Sequence, residues 1–93
     1  MNRSLSGFHY EQVLAEDKPL PIPKLQAEEI FITLQGGEIR YVYTPGTEPT
    51  ALFGHLLYDG MSLRLTSVGQ IENFKFIKAS ERPSVLSITY EKE

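Results

Sequence analysis

Apolar and polar residues alternate with a period of two along most of the chain after residue 25. Residues 29–34 place Ile30, Ile32 and Leu34 on one side, which is typical of a β-strand with one buried face. The same kind of pattern, or a short apolar run, recurs in the segments 39–44, 56–58, 61–66, 74–79 and 85–90. No stretch has the apolar spacing of a helix of three turns, and residues 68–73 have room for only about one turn.

Turn signals separate these segments. Gln35-Gly36-Gly37-Glu38 predicts a tight hairpin turn, because glycine tolerates the positive φ angles that such turns require. Asp59-Gly60 and the segments 45–50 and 80–84, which contain proline, mark further turns or loops. Six or seven short strands with turns about every ten residues predict an all-β fold, an antiparallel sandwich or a small barrel. Of these we expect a small antiparallel β-sandwich.

Residues 1–24 differ from the rest and predict an extended N-terminal arm on a sandwich domain of residues 25–93. Residues 8–14 alternate well enough for one strand, with Phe8, Tyr10 and Leu14 on one side. Proline then occupies every second position in the stretch 18–24, which predicts an extended, polyproline-like backbone. Leu20 and Ile22 lie between these prolines and are free to contact a surface. That surface is either the domain's own core or a neighbouring subunit, and the sequence leaves both alternatives open.

Composition bounds the class of protein. The 93 residues suffice for one small domain, and they contain 41% hydrophobic and 23% charged residues, as globular chains do. A formal net charge of −3 argues against nucleic acid as the main partner. The absence of cysteine excludes disulfides and thiolate metal sites. No apolar run is long enough for a signal peptide or a membrane span, so we expect a protein that is cytosolic or assembled from the cytosol.

Candidate catalytic chemistry is sparse. His9 and Glu11 share a strand face, and His55 and Asp59 lie far along the chain, which is little material for a metal site of three or more ligands. The chain has no Gly-x-Ser-x-Gly elbow and no phosphate-binding glycine loop followed by a helix. We therefore expect no enzyme activity, no catalytic residue, no cofactor and no metal.

Aromatic residues make up 11% of the chain, and some of them fall outside the predicted inner face. Phe31 alternates with Ile30 and Ile32, so its ring points away from theirs. We also expect Phe74 and Phe76 to oppose Ile77 in this way. Strands with two apolar faces in so small a domain indicate a surface for partners. The predicted contact residues are those of the arm and the outward phenylalanine: Phe8, Tyr10, Leu20, Ile22 and Phe31.

The segment 39–50, Ile-Arg-Tyr-Val-Tyr-Thr-Pro-Gly-Thr-Glu-Pro-Thr, resembles a strand and loop of β-sandwich domains of the chitobiase C-terminal type. Those domains have Asp-Gly in the loop, where this chain has Pro45-Gly46. Taken with the opening Phe8-His9-Tyr10-Glu11, the segments 54–63 and 71–77 and the closing 86–91, nearly the whole chain more closely resembles small virion proteins of tailed bacteriophages.

The resemblance implies a structural component of a phage particle, located in the virion and attached to the head or to the head–tail junction. It implies capsid or other virion proteins as partners, and we expect several copies or a homo-oligomer. Because of the net charge and the lack of a long apolar run, we expect neither nucleic acid nor membrane as a partner. We expect a decoration or stabilising protein of the capsid, with a head–tail or tail adaptor as an alternative. A carbohydrate-binding module is the alternative from another class, because Tyr41, Tyr43 and Tyr58 could form a platform for sugar rings.

Overall fold

The computed structural model describes residues 4–23 and 25–93, which form eight strands and one short helix. In chain order these elements are β1 (Ser6–Leu14), β2 (Leu20–Pro21), β3 (Glu29–Gly36), β4 (Glu38–Val42), β5 (His55–Tyr58), β6 (Ser62–Leu65), α1 (Val68–Asn73), β7 (Lys75–Lys78) and β8 (Ser84–Lys92).

The strands form two antiparallel sheets of four strands each, which confirms the predicted all-β sandwich. The first sheet has the order β1-β8-β3-β6, and the second has the order β2-β7-β4-β5. The strand that the sequence analysis did not predict is β2, which contains only two residues of the proline-rich stretch.

The core lies between the two sheets and is built from the inward residues of the alternating strands. Ile30, Ile32 and Leu34 of β3 are all buried, as their alternation predicts. Other fully buried side chains come from both sheets and from the end of α1; they include Ile39, Leu65, Phe74, Phe76, Leu86, Ile88 and Tyr90. Burial of this apolar surface is the main stabilising contribution to a domain without disulfides.

The N-terminal segment packs as part of the sandwich. β1 pairs with β8 along its length, and Leu20 and Pro21 pair with Phe76 and Lys75 of β7. Ile22 is 5% exposed and belongs to the core cluster together with Ala15. Of the two alternatives for the proline stretch, this packing is the one on the domain's own core, and the boundary predicted at residue 24 does not separate two cores.

Proline is compatible with this arrangement because β2 is an edge strand. An edge strand has one side without ladder hydrogen bonds, so a residue that lacks an N–H can be placed there at little cost. Prolines at alternate positions leave the residues between them free to point inward, and this is where Leu20 and Ile22 lie. The proline-rich stretch thus covers one edge of the core, although its prolines would not fit in a helix or a central strand.

The outer face of the second sheet is covered by the chain itself. Arg40 of β4 donates from Nε to the carbonyl oxygen of Ala51 at 3.1 Å and from Nη1 to that of Gly54 at 2.7 Å. These bonds hold the loop of residues 43–54 against the sheet. Val42 and Ile77, which share the face of Arg40, are buried although they lie outside the core cluster. The apolar residues on this face are therefore covered by the chain's own loop.

The prediction that Phe74 and Phe76 lie on the outer face was wrong. Both rings are fully buried in the core cluster, and it is Ile77 that points to the outer face. The sequence pattern is symmetrical in this respect: alternation shows that Phe76 and Ile77 lie on opposite faces, and it does not show which face is the inner one.

The helix α1 is short and has a regular start. Ser67 accepts a hydrogen bond from the backbone N–H of Gln70 at 3.2 Å, so it forms the N-cap. Six residues give somewhat more than the single turn expected from the sequence, and Ile71 anchors the helix in the core. Among the described residues, no helix is long and apolar enough to cross a membrane.

Candidate contact surfaces

The outer face of the first sheet is a regular surface that the described strands leave uncovered. Because Ile30, Ile32 and Leu34 point into the core, the residues that alternate with them point outward. The same reasoning applies to the paired residues of the neighbouring strands. We call this surface the open face; it is formed by Tyr10, Gln12, Leu14, Glu29, Phe31, Thr33, Gln35, Ser62, Arg64, Val85, Ser87, Thr89 and Glu91.

One row of residues crosses the open face from edge to edge. Tyr10 of β1 is opposite Thr89 of β8, Thr89 is opposite Phe31 of β3, and Phe31 is opposite Arg64 of β6. Two aromatic rings that are 21 residues apart in sequence are thereby separated by a single threonine. The row combines apolar rings with a cation, and these are the residue types enriched at the centres of protein interfaces.

Arg64 is held in place at one end of this row. Its guanidinium lies 5.0 Å from the centre of the Phe31 ring. Its Nη1 donates to Glu91 at 2.8 Å and to Glu29 at 3.2 Å. The hydrogen bond to Glu91, more than any other contact, raises the pKa of Arg64 above its usual value. The Arg64 side chain is 43% exposed, so it can donate further hydrogen bonds to a partner without leaving Phe31.

A second row beside it is polar. Gln12, Ser87, Thr33 and Ser62 follow one another across the same four strands. The Ser87 hydroxyl accepts hydrogen bonds from Tyr10 Oη and from Gln12 Nε2, both at 3.3 Å. These bonds connect the polar row to the aromatic one. The open face therefore presents small hydroxyl groups around a few larger side chains.

The structure separates the five predicted contact residues. Tyr10 and Phe31 lie together on the open face, and Tyr10 is 57% exposed. Phe8 falls in a bulge of β1, where the Lys92 ammonium lies 4.5 Å from the centre of its ring. Leu20 is partly buried against the core. The prediction that Ile22 contacts a partner was wrong, because its side chain lies in the core of the folded domain.

Arg64, Thr89 and Ser87 complete the open face and were not predicted from the sequence. Arg64 alternates with Leu63 and Leu65, so its outward direction could have been inferred from the sequence pattern. Its position beside Phe31 could not, because it depends on the antiparallel pairing of β6 with β3.

A second candidate surface is an aromatic cluster where β4 and β5 pair. The rings of Tyr41 and Tyr43 are stacked with 6.4 Å between their centres, and the His55 ring lies 6.1 Å from Tyr43 at an angle of 24°. Burial, and secondarily the neighbouring Tyr43, raises the pKa of the Tyr41 hydroxyl. Tyr58 does not belong to this cluster, because it pairs with Glu38 on the other side of the sheet.

Polar groups at the β1 edge of the core are paired internally. The Tyr90 hydroxyl donates to Glu11 Oε1 at 2.5 Å, and the His9 ring centre lies 5.5 Å from that of Tyr90. Burial, followed by the hydrogen bond to Glu11, raises the pKa of Tyr90 well above its usual range. In the part of the chain that the structure describes, no group of three or more His, Asp or Glu side chains is placed to hold a metal ion.

Comparison of the chain with protein-family models, with curated proteins and with solved structures gives no match.

Proposed function

We propose that this chain is a non-enzymatic structural component of a bacteriophage virion, associated with the capsid as a decoration or stabilising protein. Its resemblance to small virion proteins supports the setting. The row Tyr10–Thr89–Phe31–Arg64 on the open face is the observation that supports binding through protein contacts. The proposed partners are capsid or other virion proteins, and the proposed location is the virion.

The chemistry of the open face fits a flat protein surface. Aromatic rings and an arginine at the centre of a contact lose water when a partner approaches, and such groups carry most of the binding energy in many interfaces. The surrounding hydroxyl and amide groups can hydrogen-bond to partner backbone or to bridging water. Binding to assembled shells but not to dissociated subunits would stabilise the shell by mass action.

The experiment is co-sedimentation of the purified chain with capsids of the phage that encodes it. Phe31→Ala removes the central ring of the open face, and Phe53→Ala is the matched control, because Phe53 is an exposed phenylalanine on the loop over the other sheet. We expect Phe31→Ala to weaken binding about tenfold or more, as for an interface hot spot. We expect Phe53→Ala to bind as the unmodified chain does.

A further variant separates loss of binding from loss of folding. Thr33→Arg adds a bulky charged side chain to the open face and removes no packed ring. If it is folded by circular dichroism and still sediments with capsids at full affinity, the open face is not the contact surface. Absence of binding by the unmodified chain would refute the capsid proposal. The copy number per particle distinguishes decoration over the whole shell from a ring at the head–tail junction.

A second candidate function is carbohydrate binding, and the stacked Tyr41, Tyr43 and His55 rings favour it. Aromatic rings that lie nearly parallel at a surface can pack against the faces of sugar rings. Tyr43→Ala should abolish binding on a glycan array, while Tyr58→Ala should not, since Tyr58 lies on the opposite side of the sheet. A chain that binds no glycan, or that binds equally after Tyr43→Ala, is not such a module.

A further inference from the structure

The free edge of β1 is the feature that carries an inference beyond capsid binding. β1 is the terminal strand of the first sheet, and within residues 4–23 and 25–93 no strand pairs with its other side. Strands at the edge of a sheet expose unpaired backbone groups, and proteins usually shield them with lysine, proline or a bulge. Here the bulge is confined to Gly7–His9, and residues 10–14 contain neither lysine nor proline.

Hydrogen bonds given by the structure determine which backbone groups face this free edge. The Ala15 N–H donates to the Ser84 carbonyl at 2.9 Å, so Ala15 directs its backbone groups toward β8. Antiparallel ladders alternate, so Val13 and Glu11 also face β8, and the backbone N–H and C=O groups of Tyr10, Gln12 and Leu14 face outward. The Gly37 N–H bond to the Pro83 carbonyl agrees, since it directs the odd-numbered residues of β8 toward β3.

We infer that β1 pairs with β1 of a second copy of this chain, antiparallel, with Gln12 opposite the partner's Gln12. In this register, Tyr10 is opposite the partner's Leu14 and Leu14 is opposite the partner's Tyr10. All three outward-facing residues then exchange backbone hydrogen bonds, about six in total. The two first sheets join into one continuous sheet of eight strands.

Two of the alternative registers are less favourable for identifiable reasons. Moving the centre to residue 11 places Glu11 directly opposite the partner's Glu11, and like charges in directly opposed positions are destabilising. Moving it to Tyr10 places Gln12 opposite the partner's Phe8, which lies in the bulge and interrupts the ladder. In the proposed register, Glu11 is opposite the partner's Val13 and keeps its hydrogen bond to Tyr90.

Side chains support the same register. Tyr10 and Leu14 are 57% and 56% exposed, and they are the large apolar groups that the outer side of β1 presents to solvent. Each aromatic ring would pack against a leucine across the new strand pair, which is a favourable cross-strand combination. The pairing therefore removes unpaired backbone groups and exposed apolar surface together. It requires no capsid, so it can be correct even if the proposed function is not.

The experiment compares Gln12→Pro with Gln12→Ala in the full chain. Both variants lose the side-chain bond from Gln12 to Ser87, but only proline removes the outward N–H. The N–H of Gln12 is not used within the sheet, so neither substitution breaks a bond to β8. Sedimentation velocity over micromolar to submillimolar concentrations gives the mass relative to the 10.5 kDa monomer.

We expect the unmodified chain and Gln12→Ala to form dimers. For Gln12→Pro we expect the dissociation constant of the dimer to be higher by about tenfold or more. A monomeric unmodified chain, an unchanged dimer in Gln12→Pro, or equal dissociation of both variants would overturn the proposal. Hydrogen exchange of the unmodified chain tests the register even if the proline variant does not fold. The amides of Tyr10, Gln12 and Leu14 should become protected as concentration rises; if their exchange is independent of concentration, the edge is not paired.

Discussion

Replacement of Ile22 by alanine tests whether the proline-rich stretch is part of the folded domain. Ile22 is 5% exposed and belongs to the core cluster, while Leu20 of β2, two residues earlier, packs against that cluster. Removing most of this side chain leaves a void between the two sheets. If the stretch were a free arm, the same substitution would change almost nothing.

The expected magnitude follows from burial. Isoleucine to alanine removes three carbon groups, each worth about 0.8 kcal/mol of transfer free energy when buried, or roughly 2.4 kcal/mol together. The void adds to this cost to the extent that the neighbours do not close it, so we expect a loss of about 2–4 kcal/mol in the free energy of unfolding. This is a large share of the roughly 5–15 kcal/mol that stabilises a typical domain.

The assay is urea unfolding followed by circular dichroism at low micromolar concentration, where self-association contributes little to apparent stability. Leu52→Ala is the control, because Leu52 is 89% exposed and its truncation should change stability by no more than about 0.5 kcal/mol. A loss for Ile22→Ala as small as that for Leu52→Ala would refute the reasoning. It would show that residues 18–24 leave the core in solution.

Two further predictions concern a tyrosine and a glycine. The pKa of Tyr90 is raised above its ordinary value of 10.0, so its neutral form is favoured in the folded state and its contribution to stability is lost as pH rises above about 10. Tyr90→Phe should therefore flatten the decline of unfolding free energy between pH 10 and 12, which urea titrations at each pH would measure; an unchanged slope would contradict this. Gly36 has a φ of 108°, and a Cβ there would overlap the Pro83 carbonyl, whereas Gly46 has a φ of 75° and open space around it. We expect Gly46→Ala to cost about 1 kcal/mol and Gly36→Ala at least about 2 kcal/mol in the same assay, and equal costs would exclude the overlap as a cause.

Local patterns predicted the parts of the fold that depend on local chemistry. The alternation in residues 29–34 identified β3 and its buried side, and Asp59-Gly60 correctly ended the strand before it. Asp59 also accepts a hydrogen bond from the Gly36 N–H at 2.9 Å, which the sequence could not reveal. The hairpin predicted at residues 35–38 is wrong, because β3 and β4 lie in different sheets and this segment carries the chain from one sheet to the other. Local residues show where the chain turns, but they do not show which strands or turns come together in the fold.

The errors have a common physical origin, which is the missing knowledge of neighbours. Ile22 was predicted to contact a surface because its stretch was predicted to be extended and polyproline-like, but proline also permits an edge strand that packs against the core. The direction of Phe76 was reversed because a period of two has no inherent inside. The proximity of Tyr10 and Phe31 depends on β8, which enters the sheet between their strands from the other end of the chain. Strand order is a property of the whole fold, and no window of residues contains it.

The hydrogen bonds from Arg40 to the loop of residues 43–54 make the two outer faces of the sandwich different. The loop covers the middle of the outer face of the second sheet, whereas the described strands leave the open face of the first sheet uncovered. Opposed residues of an antiparallel strand pair project to the same side of the sheet. Two copies joined through β1 would therefore have their open faces on the same side of the eight-stranded sheet. Such a dimer would contact a shell at two adjacent sites, and its dissociation would require both contacts to break at the same time.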